Sequence, residues 1–290
     1  MISNDTVRKL IAEQFPKWAH LEVKPVKANG IDNITFHLGD QMLIRLPSAK
    51  EYEAQVGKEQ LWLPKLASQL SIQIPVPLAQ GNPSRYYPWN WSIYQWINGS
   101  SANLLNIDDD GLVGIANQLA QFLYELHEIN SGGAPIAGKH NYFRGGHPSI
   151  YDSCIRTSLT KLQGIIDSKK VQAVWEKAIS TKWQHQDVWI HGDLASGNIL
   201  IRDNTLEAII DFGCMGVGDP ACDLVIAWTL LKGDSRGYFK SNTRLDDDTW
   251  DRARGWALWK SCFELANSTN RNSLTAIKNL YVINEVLNEC

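Results

Sequence analysis

Three polar residues lie close together in the stretch WIHGDLASGNILI, residues 189–201. They are His191, Asp193 and Asn198, and an apolar run stands on each side of them. A further carboxylate, Asp211, follows in the sequence DFG. A carboxylate can accept or orient the proton of an attacking hydroxyl group. An amide oxygen and a second carboxylate can hold Mg²⁺ against nucleotide phosphates, because hard cations prefer oxygen ligands.

The order H-x-D-L-x-x-x-N followed by D-F-G is the catalytic set of phosphoryl-transfer enzymes of the protein-kinase type. The first half alone is a weak signal, since a tight turn between two strands uses the same residue types. The DFG, with strand-like runs on both sides, makes the pattern specific. We therefore predict that Asp193 is the catalytic base or hydroxyl-orienting group. We expect His191 to brace the loop by packing and hydrogen bonding.

Two kinds of hydrophobic periodicity divide the chain. Alternation typical of strands dominates up to about residue 98, in LEVKPV, NITFHL, QMLIRL and WSIYQWI, with an N-terminal helix and a helix over 49–69. The later part has a helical period, with strand-like runs only in 187–211. The later helices begin with one built on Leu112 to Leu126 and continue near 149–166, 170–182, 219–232, 247–266 and 273–288. We predict an α+β fold with two lobes, a β-rich lobe over 1–98 and a mainly helical lobe over 99–290.

The composition excludes several classes of protein. The chain has 290 residues and a net charge of −3, which provides no electrostatic footprint for nucleic acid. Its five cysteines are scattered singly, unlike a disulfide framework or a zinc site. No signal peptide is recognisable, and no apolar run approaches the roughly 20 residues of a membrane span. We expect a cytoplasmic protein with neither a nucleic-acid nor a membrane partner.

A second motif points to different chemistry. The segment GVGDPA, residues 216–221, fits G-x-G-x-x-A, a fingerprint of dinucleotide-binding enzymes. That fingerprint belongs inside a βαβ unit, whereas the chain after residue 232 has helix or loop patterns. We favour a helix start, with Asp219 as N-cap and Pro220 at the first helical position.

Taken together, these motifs resemble the aminoglycoside phosphotransferase family, the antibiotic kinases of the protein-kinase-like fold. The resemblance covers nearly the whole chain, from GIDNITFHLGDQMLIRLPS through WIHGDLASGNILI and IIDFG to GVGDPACDLVIAW and RGWALWK. The GDPACDL segment narrows it to small-molecule phosphotransferases, which include macrolide and choline kinases. The resemblance implies a nucleotide-binding N-terminal lobe and a C-terminal lobe with the catalytic loop, metal site and acceptor site.

The resemblance also implies roles for single residues. Asp193 would be the catalytic residue, Asn198 and Asp211 would be Mg²⁺ ligands, and Asp223 would brace the catalytic loop through its backbone. Two further segments would bind the nucleotide: a hinge strand and a turn that stands where protein kinases carry a glycine-rich loop. Their residues are Tyr94, Gln95, Trp96 and Ile97 in the hinge strand, and Gly30 and Asn33 in the turn.

Two departures from the kinase pattern concern the nucleotide site. No G-x-G-x-x-G is present, and Arg45 stands where a nucleotide-pairing lysine is expected. An arginine can still bind phosphates bidentately, and we favour that role; a surface arginine on an edge strand is the alternative. Glu59 is the natural ion-pair partner of Arg45. Glu51 and Glu53 remain alternatives.

The predicted function is transfer of a phosphoryl group from ATP or GTP, with Mg²⁺, to a hydroxyl group of a small molecule. By resemblance the acceptor is an aminoglycoside, which implies antibiotic resistance. A macrolide, an endogenous alcohol or a sugar is the alternative acceptor, and a nucleotide-binding pseudokinase is the alternative class. Candidate acceptor residues are Asp246, Asp247, Asp248, Trp256 and Trp259. For the three aspartates we favour helix capping as the explanation, and for the two tryptophans we favour core packing.

Overall fold

The computed structural model describes residues 2–26 and 32–289. The chain divides into two compact units, residues 1–99 with 207–213 and residues 100–206 with 214–290. The first unit contains a β-sheet and the second is mainly helical. The predicted α+β class, with a β-rich N-terminal part and a helical C-terminal part, is confirmed.

The first unit is built on a five-stranded antiparallel sheet with the strand order β1-β2-β3-β5-β4. The strands are β1 (Val23–Pro25), β2 (Asn33–Leu38), β3 (Met42–Pro47), β4 (Pro77–Gly81) and β5 (Trp91–Gln95). Gly39 makes the tight turn between β2 and β3 with a φ of 60°, a backbone conformation that glycine adopts without strain. Strand β4, which holds two exposed positions and begins at a proline, was not predicted.

Two helices complete the first unit, α1 (Asn4–Gln14) and α2 (Glu53–Ala67). Ser3 caps α1 by accepting a hydrogen bond from the N–H of Thr6. The apolar face of α1, with Leu10 at its centre, packs in one core with Phe36 of β2 and Trp91 of β5. Helix α2 is shorter than the predicted 49–69, because the chain first makes a 3₁₀ turn, Lys50–Tyr52.

Seven α-helices are described in the second unit. They are α3 (Asp109–Glu128), α4 (Asp152–Lys161), α5 (Ser168–Ser180), α6 (Ile226–Thr229), α7 (Gly233–Asn242), α8 (Asp247–Asn267) and α9 (Leu274–Asn288). Helix α8 packs against α4, α5 and α9, so most of its surface is buried. Among the residues that the structure describes, no helix is both long and apolar enough to cross a membrane.

Short strands in the second unit carry the segment with the catalytic motif. They are β6 (Ser100–Ser101), β7 (Val188–Ile190), β8 (Ile199–Arg202) and β10 (Gly216–Gly218), and the chain returns to the first unit within β9 (Thr205–Ile209). Strand β7 pairs with β10, and β6 pairs with β8, both antiparallel. Asp203 and Asn204, both with positive φ, turn the chain from β8 into β9.

The dinucleotide fingerprint is not borne out by its surroundings. Its glycines form β10, which pairs antiparallel with β7, whereas the fingerprint needs a parallel βαβ unit. Asp219 caps the following helical segment, as predicted, but that segment is a 3₁₀ helix, Pro220–Val225, followed by the single-turn α6. The predicted continuous helix over 219–232 is therefore wrong, and α7 was missed.

Candidate active site

The predicted catalytic loop, residues 191–198, follows β7, and a buried carboxylate holds its backbone. Asp223 is fully buried and accepts hydrogen bonds from the N–H of His191 (2.7 Å) and of Gly192 (2.8 Å). Burial raises the pKa of Asp223, while His191 and the two N–H donors act in the opposite direction. Gly192 has a φ of 83°, and a Cβ there would lie 2.3 Å from the carbonyl oxygen of Cys214, so the position requires glycine.

His191 is buried and helps to shape the same loop. Its Nδ1 accepts a hydrogen bond of 3.2 Å from the N–H of Asp193, so the ring is engaged with the backbone. This contact suits a residue that braces the loop. The functional roles of His191 and Asp223 remain predictions.

The carboxylate of Asp193 forms an ion pair with Lys260 of α8, whose Nζ lies 3.0 Å from Oδ1. Burial alone would raise the pKa of Asp193, but Lys260 and then Arg144 outweigh it, so the pKa is lowered. Asp193 is therefore ionised at neutral pH. An ionised carboxylate can accept a hydrogen bond from a hydroxyl group.

Asn198 ends the catalytic loop just before β8 begins. Its Nδ2 donates to the carbonyl oxygen of Asp193 at 3.0 Å, and its own N–H donates to the carbonyl oxygen of Ala195 at 2.8 Å. These bonds fix the orientation of the side-chain amide and leave its Oδ1 as an oxygen donor for a cation. Amide and carboxylate oxygens suit Mg²⁺, so the chemistry of Asn198 and Asp211 fits the predicted ion.

In the first unit, Arg45 on β3 contacts two carboxylates. Its Nη2 lies 2.7 Å from Oδ1 of Asp211, and its Nη1 lies 3.4 Å from Oε1 of Glu59 on α2. Burial by itself would lower the pKa of Arg45, but Glu59 and Asp211 raise it above its ordinary value. The other oxygen of Glu59 accepts a hydrogen bond from the hydroxyl group of Tyr94. Glu53 was an alternative to Glu59 as the partner of Arg45. It instead accepts hydrogen bonds from the backbone N–H and the side-chain amide of Asn90.

Asp211 itself has an unusual backbone. Its φ of 68° lies in the left-handed region, which an aspartate adopts at a cost, and such residues cluster at functional sites. Its side chain is 44% exposed although one oxygen is paired with Arg45. The DFG segment is also held by Lys58 of α2, whose Nζ donates to the carbonyl oxygen of Gly213 at 2.6 Å.

The other predicted nucleotide-binding residues lie at the sheet or outside the described part. Asn33 begins β2 opposite Pro47 and is buried, whereas Gly30 lies outside the described residues. In the hinge segment, Tyr94 and Gln95 belong to β5, and the N–H of Trp96 donates to the carbonyl oxygen of Gln41. Ile97 follows the strand and is buried. The role of all six in binding nucleotide stays a prediction.

A cavity of about 450 Å³ lies within the second unit, beside Asp193. Residues 192–196 of the catalytic loop line it together with one face of α8 and one face of α9. Trp256, Lys260 and Glu264 share the α8 face because they are spaced four residues apart. This volume is within the range of small-molecule sites, roughly 300–1,000 Å³.

The candidate acceptor residues fall into two groups. Trp256 lines the cavity, whereas Trp259 is not part of its lining and stacks on Tyr151, with ring centroids 3.7 Å apart. The run 246–248 also lies outside the lining. Asp246 caps α8 by accepting from the N–H of Thr249, and Asp247 and Asp248 occupy its first turn. These are the positions that stabilise the start of a helix. A role of the three aspartates in acceptor binding stays a prediction.

Sequence reasoning missed the basic residues of the site. Lys260 pairs with Asp193 from 67 positions away, and Arg144 lies in a loop with no motif of its own. The spacing of Lys260 four residues after Trp256 was the one available signal, because it places both on the same face of α8.

Comparison with known proteins gives the family. The model of the phosphotransferase enzyme family (APH) matches residues 22–257. The chain belongs to this family of small-molecule kinases, and the resemblance stated from the motifs is confirmed. No curated protein matches the sequence significantly.

Solved structures of similar fold extend over almost the whole chain. A mutant of aminoglycoside 2'-phosphotransferase-IIIa in complex with GDP has a TM-score of 0.76 at 19% identity, over 99% of this chain and 98% of that one. The streptomycin–ATP complex of APH(2")-IIa has a TM-score of 0.62 at 18% identity, over 99% and 97%. Macrolide 2'-phosphotransferase MphH from Brachybacterium faecium has a TM-score of 0.61 at 17% identity, over 97% of each chain. These likenesses establish the fold.

Proposed function

We propose that this protein transfers the terminal phosphoryl group of ATP or GTP to a hydroxyl group of a small molecule, with Asp193 as the catalytic residue. The observation that carries the proposal is the position of Asp193. Its carboxylate is ionised and lies in the wall of a cavity of small-molecule size, on a loop whose backbone Asp223 holds. A plain turn between two strands has no need of these features.

In the proposed reaction Asp193 accepts a hydrogen bond from the acceptor hydroxyl and orients its oxygen. A bond forms between that oxygen and the terminal phosphorus, and the bond to the bridging phosphate oxygen breaks, releasing a nucleoside diphosphate. The hydroxyl proton passes to Asp193 as the new bond forms. Because its pKa is lowered, Asp193 is a weak base, which favours orientation over early proton removal.

Asn198 and Asp211 are the proposed ligands of Mg²⁺, which supplies charge neutralisation at the nucleotide phosphates when bound. Arg45 is proposed to act at the same phosphates, and its contacts with Glu59 and Asp211 hold its guanidinium in place. Nucleotides are present in several structures of similar fold, which contain GDP, ATP or ADP. That supports a nucleotide as co-substrate here.

The acceptor suggested by resemblance is an aminoglycoside, and structures of similar fold contain kanamycin, streptomycin or gentamicin. Phosphorylation of such an antibiotic in the cytoplasm would confer resistance. A macrolide is the alternative, since a macrolide 2'-phosphotransferase shares the fold. Those proteins are less than 20% identical to this chain, so the residues of its own cavity must decide the acceptor.

The test is a coupled assay of nucleoside diphosphate release with Mg²⁺ and either ATP or GTP. Aminoglycosides, macrolides and small hydroxyl compounds, both neutral and anionic, are offered as acceptors. We expect release that depends on an acceptor and a phosphorylated product by mass spectrometry. Binding of nucleotide without release under any condition would favour the pseudokinase.

A further inference from the structure

The wall of the cavity beside Asp193 carries more positive than negative charge. Its ionisable cations are Arg144, Lys260 and Lys278, and its carboxylates are Asp193 and Glu264. An acceptor site for a polycation would need the opposite balance, with several carboxylates facing the ligand. The charge of this wall therefore bears on the chemical class of the acceptor.

Both carboxylates of the wall already have partners. Asp193 is paired with Lys260 at 3.0 Å, and Oε2 of Glu264 accepts a hydrogen bond of 3.0 Å from Nδ2 of Asn279 on α9. Asp193 must in addition face the acceptor hydroxyl in the proposed reaction. Among the described residues of the wall, only Glu264, whose partner is a neutral amide, therefore offers a carboxylate without an ion pair, whereas a polycation carries several ammonium groups.

Two of the cations, Lys278 and Arg144, form no direct ion pair within the described residues. Lys278 is exposed on α9 and has no ion-pair partner within residues 2–26 and 32–289. The guanidinium of Arg144 lies over the rings of Trp256 and Trp259, 5.1 and 5.0 Å from their centroids. It too forms no ion pair in the part of the chain that the structure describes. The site thus presents two cations without a direct ion pair, of which Arg144 lies near enough to Asp193 and Asp223 for its charge to act toward a lower pKa at both.

The acidic residues near the start of α8 do not compensate for this balance. Asp246 caps the helix, and Asp251 is paired with Lys177 at 3.0 Å and with Arg254 at 2.9 Å. None of these carboxylates is part of the cavity wall.

We infer that the acceptor is a hydroxyl compound with an anionic group, a carboxylate or a phosphate, which Lys278 and Arg144 bind while Asp193 faces the hydroxyl. The inference rests on the proposed phosphotransferase function and names its acceptor class. Trp256 contributes an apolar part of the same cavity wall, against which a carbon skeleton can pack. A polycationic aminoglycoside would meet Lys278 and Arg144 with like charge, which disfavours its binding.

The experiment compares acceptors that differ in charge on one carbon skeleton. Glucose, glucuronate and glucose 6-phosphate form one set, and glycerol, glycerate and glycerol phosphate form a second, with kanamycin as the polycation. Affinity is measured by calorimetry with Mg²⁺ and a nonhydrolysable nucleotide, and transfer by diphosphate release. We expect anionic members to bind at least about tenfold more tightly than their neutral counterparts, which is about 1.4 kcal/mol. The carboxylate and phosphate members show which anion is preferred.

Two variants test whether the preference for anionic acceptors arises from the cavity wall. Lys278→Glu should abolish the preference for the anionic members and raise the affinity for kanamycin. Lys169→Glu makes the same change of charge on the exposed surface of α5, outside the cavity wall, and should leave both affinities unchanged. Equal effects of the two variants would show that only net charge matters and would overturn the inference.

The inference is also overturned if anionic members bind no better than neutral ones, or if kanamycin is the tightest ligand. Failure of the proposed phosphotransferase function would give a different experimental result. In that case no diphosphate is released with any acceptor, although the chain binds nucleotide. Transfer to kanamycin or to a neutral alcohol would instead keep the phosphotransferase function and discard the anionic acceptor.

Discussion

Asp193 acts, in the proposed function, on the acceptor hydroxyl and not on the nucleotide phosphates. We therefore expect Asp193→Asn to lower phosphoryl transfer by about 100-fold or more, the usual contribution of a positioned base, with nucleotide affinity nearly unchanged. Steady-state kinetics and calorimetric titration measure the two effects. The control is Asp203→Asn, in the exposed turn before β9, which should keep full activity. A variant at Asp193 that kept a tenth of the activity would show that the carboxylate is not the catalytic group.

In the proposed reaction, the ion pair of Asp193 with Lys260 is expected to set the acid limit of activity. The lowered pKa of Asp193 keeps the carboxylate ionised above its ordinary pKa of about 3.9, and the ionised form is lost only as the pH falls through the lowered value. In Lys260→Met, burial acts without that opposing charge, so the pKa rises. We expect the acid limb of the profile of kcat/KM against pH to move upward.

The profile of kcat/KM against pH separates this electrostatic role of Lys260 from a structural one. A loss of packing would lower the rate equally at every pH and leave the limb in place. Lys169→Met, on the exposed surface of α5, is the matched control and should leave the profile unchanged. An acid limb that stays in place in Lys260→Met would contradict the assignment.

At the scale of elements, one buried ion pair ties α8 to the segment that follows the catalytic strands. Arg252 is 1% exposed, and its Nε lies 2.6 Å from Oδ2 of Asp219, the N-cap of the 3₁₀ helix that contains Asp223. Arg252 also donates to Thr249 and Thr181. Through this ion pair, α8 holds the 3₁₀ helix whose Asp223 binds the backbone of the predicted catalytic loop.

Removing Arg252 should be costly, because Asp219 would stay buried without its cation. We expect Arg252→Ala to lower the free energy of unfolding by about 3–5 kcal/mol in urea denaturation. The control is Arg8→Ala, which breaks the exposed pair with Asp5 and should cost about 1 kcal/mol or less. A loss at Arg252 no larger than at Arg8 would mean that water reaches Asp219 and solvates it.

At the scale of the whole molecule, binding of nucleotide should raise the free energy of unfolding. A ligand that binds only the native state at 100 times its Kd adds about 2.7 kcal/mol to the free energy of unfolding. We expect this gain with Mg²⁺ and a nonhydrolysable nucleotide. Asp211→Ala should lose most of it at the same concentrations, since it removes a proposed metal ligand, whereas Asp203→Ala should retain it. A full gain in Asp211→Ala, independent of Mg²⁺, would count against the proposed ligand.

Local pattern was sufficient for much of the architecture. Alternation predicted NITFHL, which forms β2 over the same residues, and the helical period predicted α8 and α9 within one or two residues at each end. These elements follow from neighbouring residues, whose spacing determines which side of a strand or helix can be buried. The catalytic motif is local in the same sense, because a single turn carries both Asp193 and Asn198.

Features that depend on distant residues could not be predicted in this way. The segment that begins at Asp219 has helical spacing but forms a 3₁₀ helix, and two of its side chains contact distant residues, Asp219 with Arg252 and Asp223 with the N–H of Gly192. The partner of Asp193 comes from α8, 67 positions away. The sequence by itself determined which groups can perform the chemistry. Only the tertiary structure decided which charges surround them, because ion pairs and cavity walls form between residues whose separation along the chain carries no local signal.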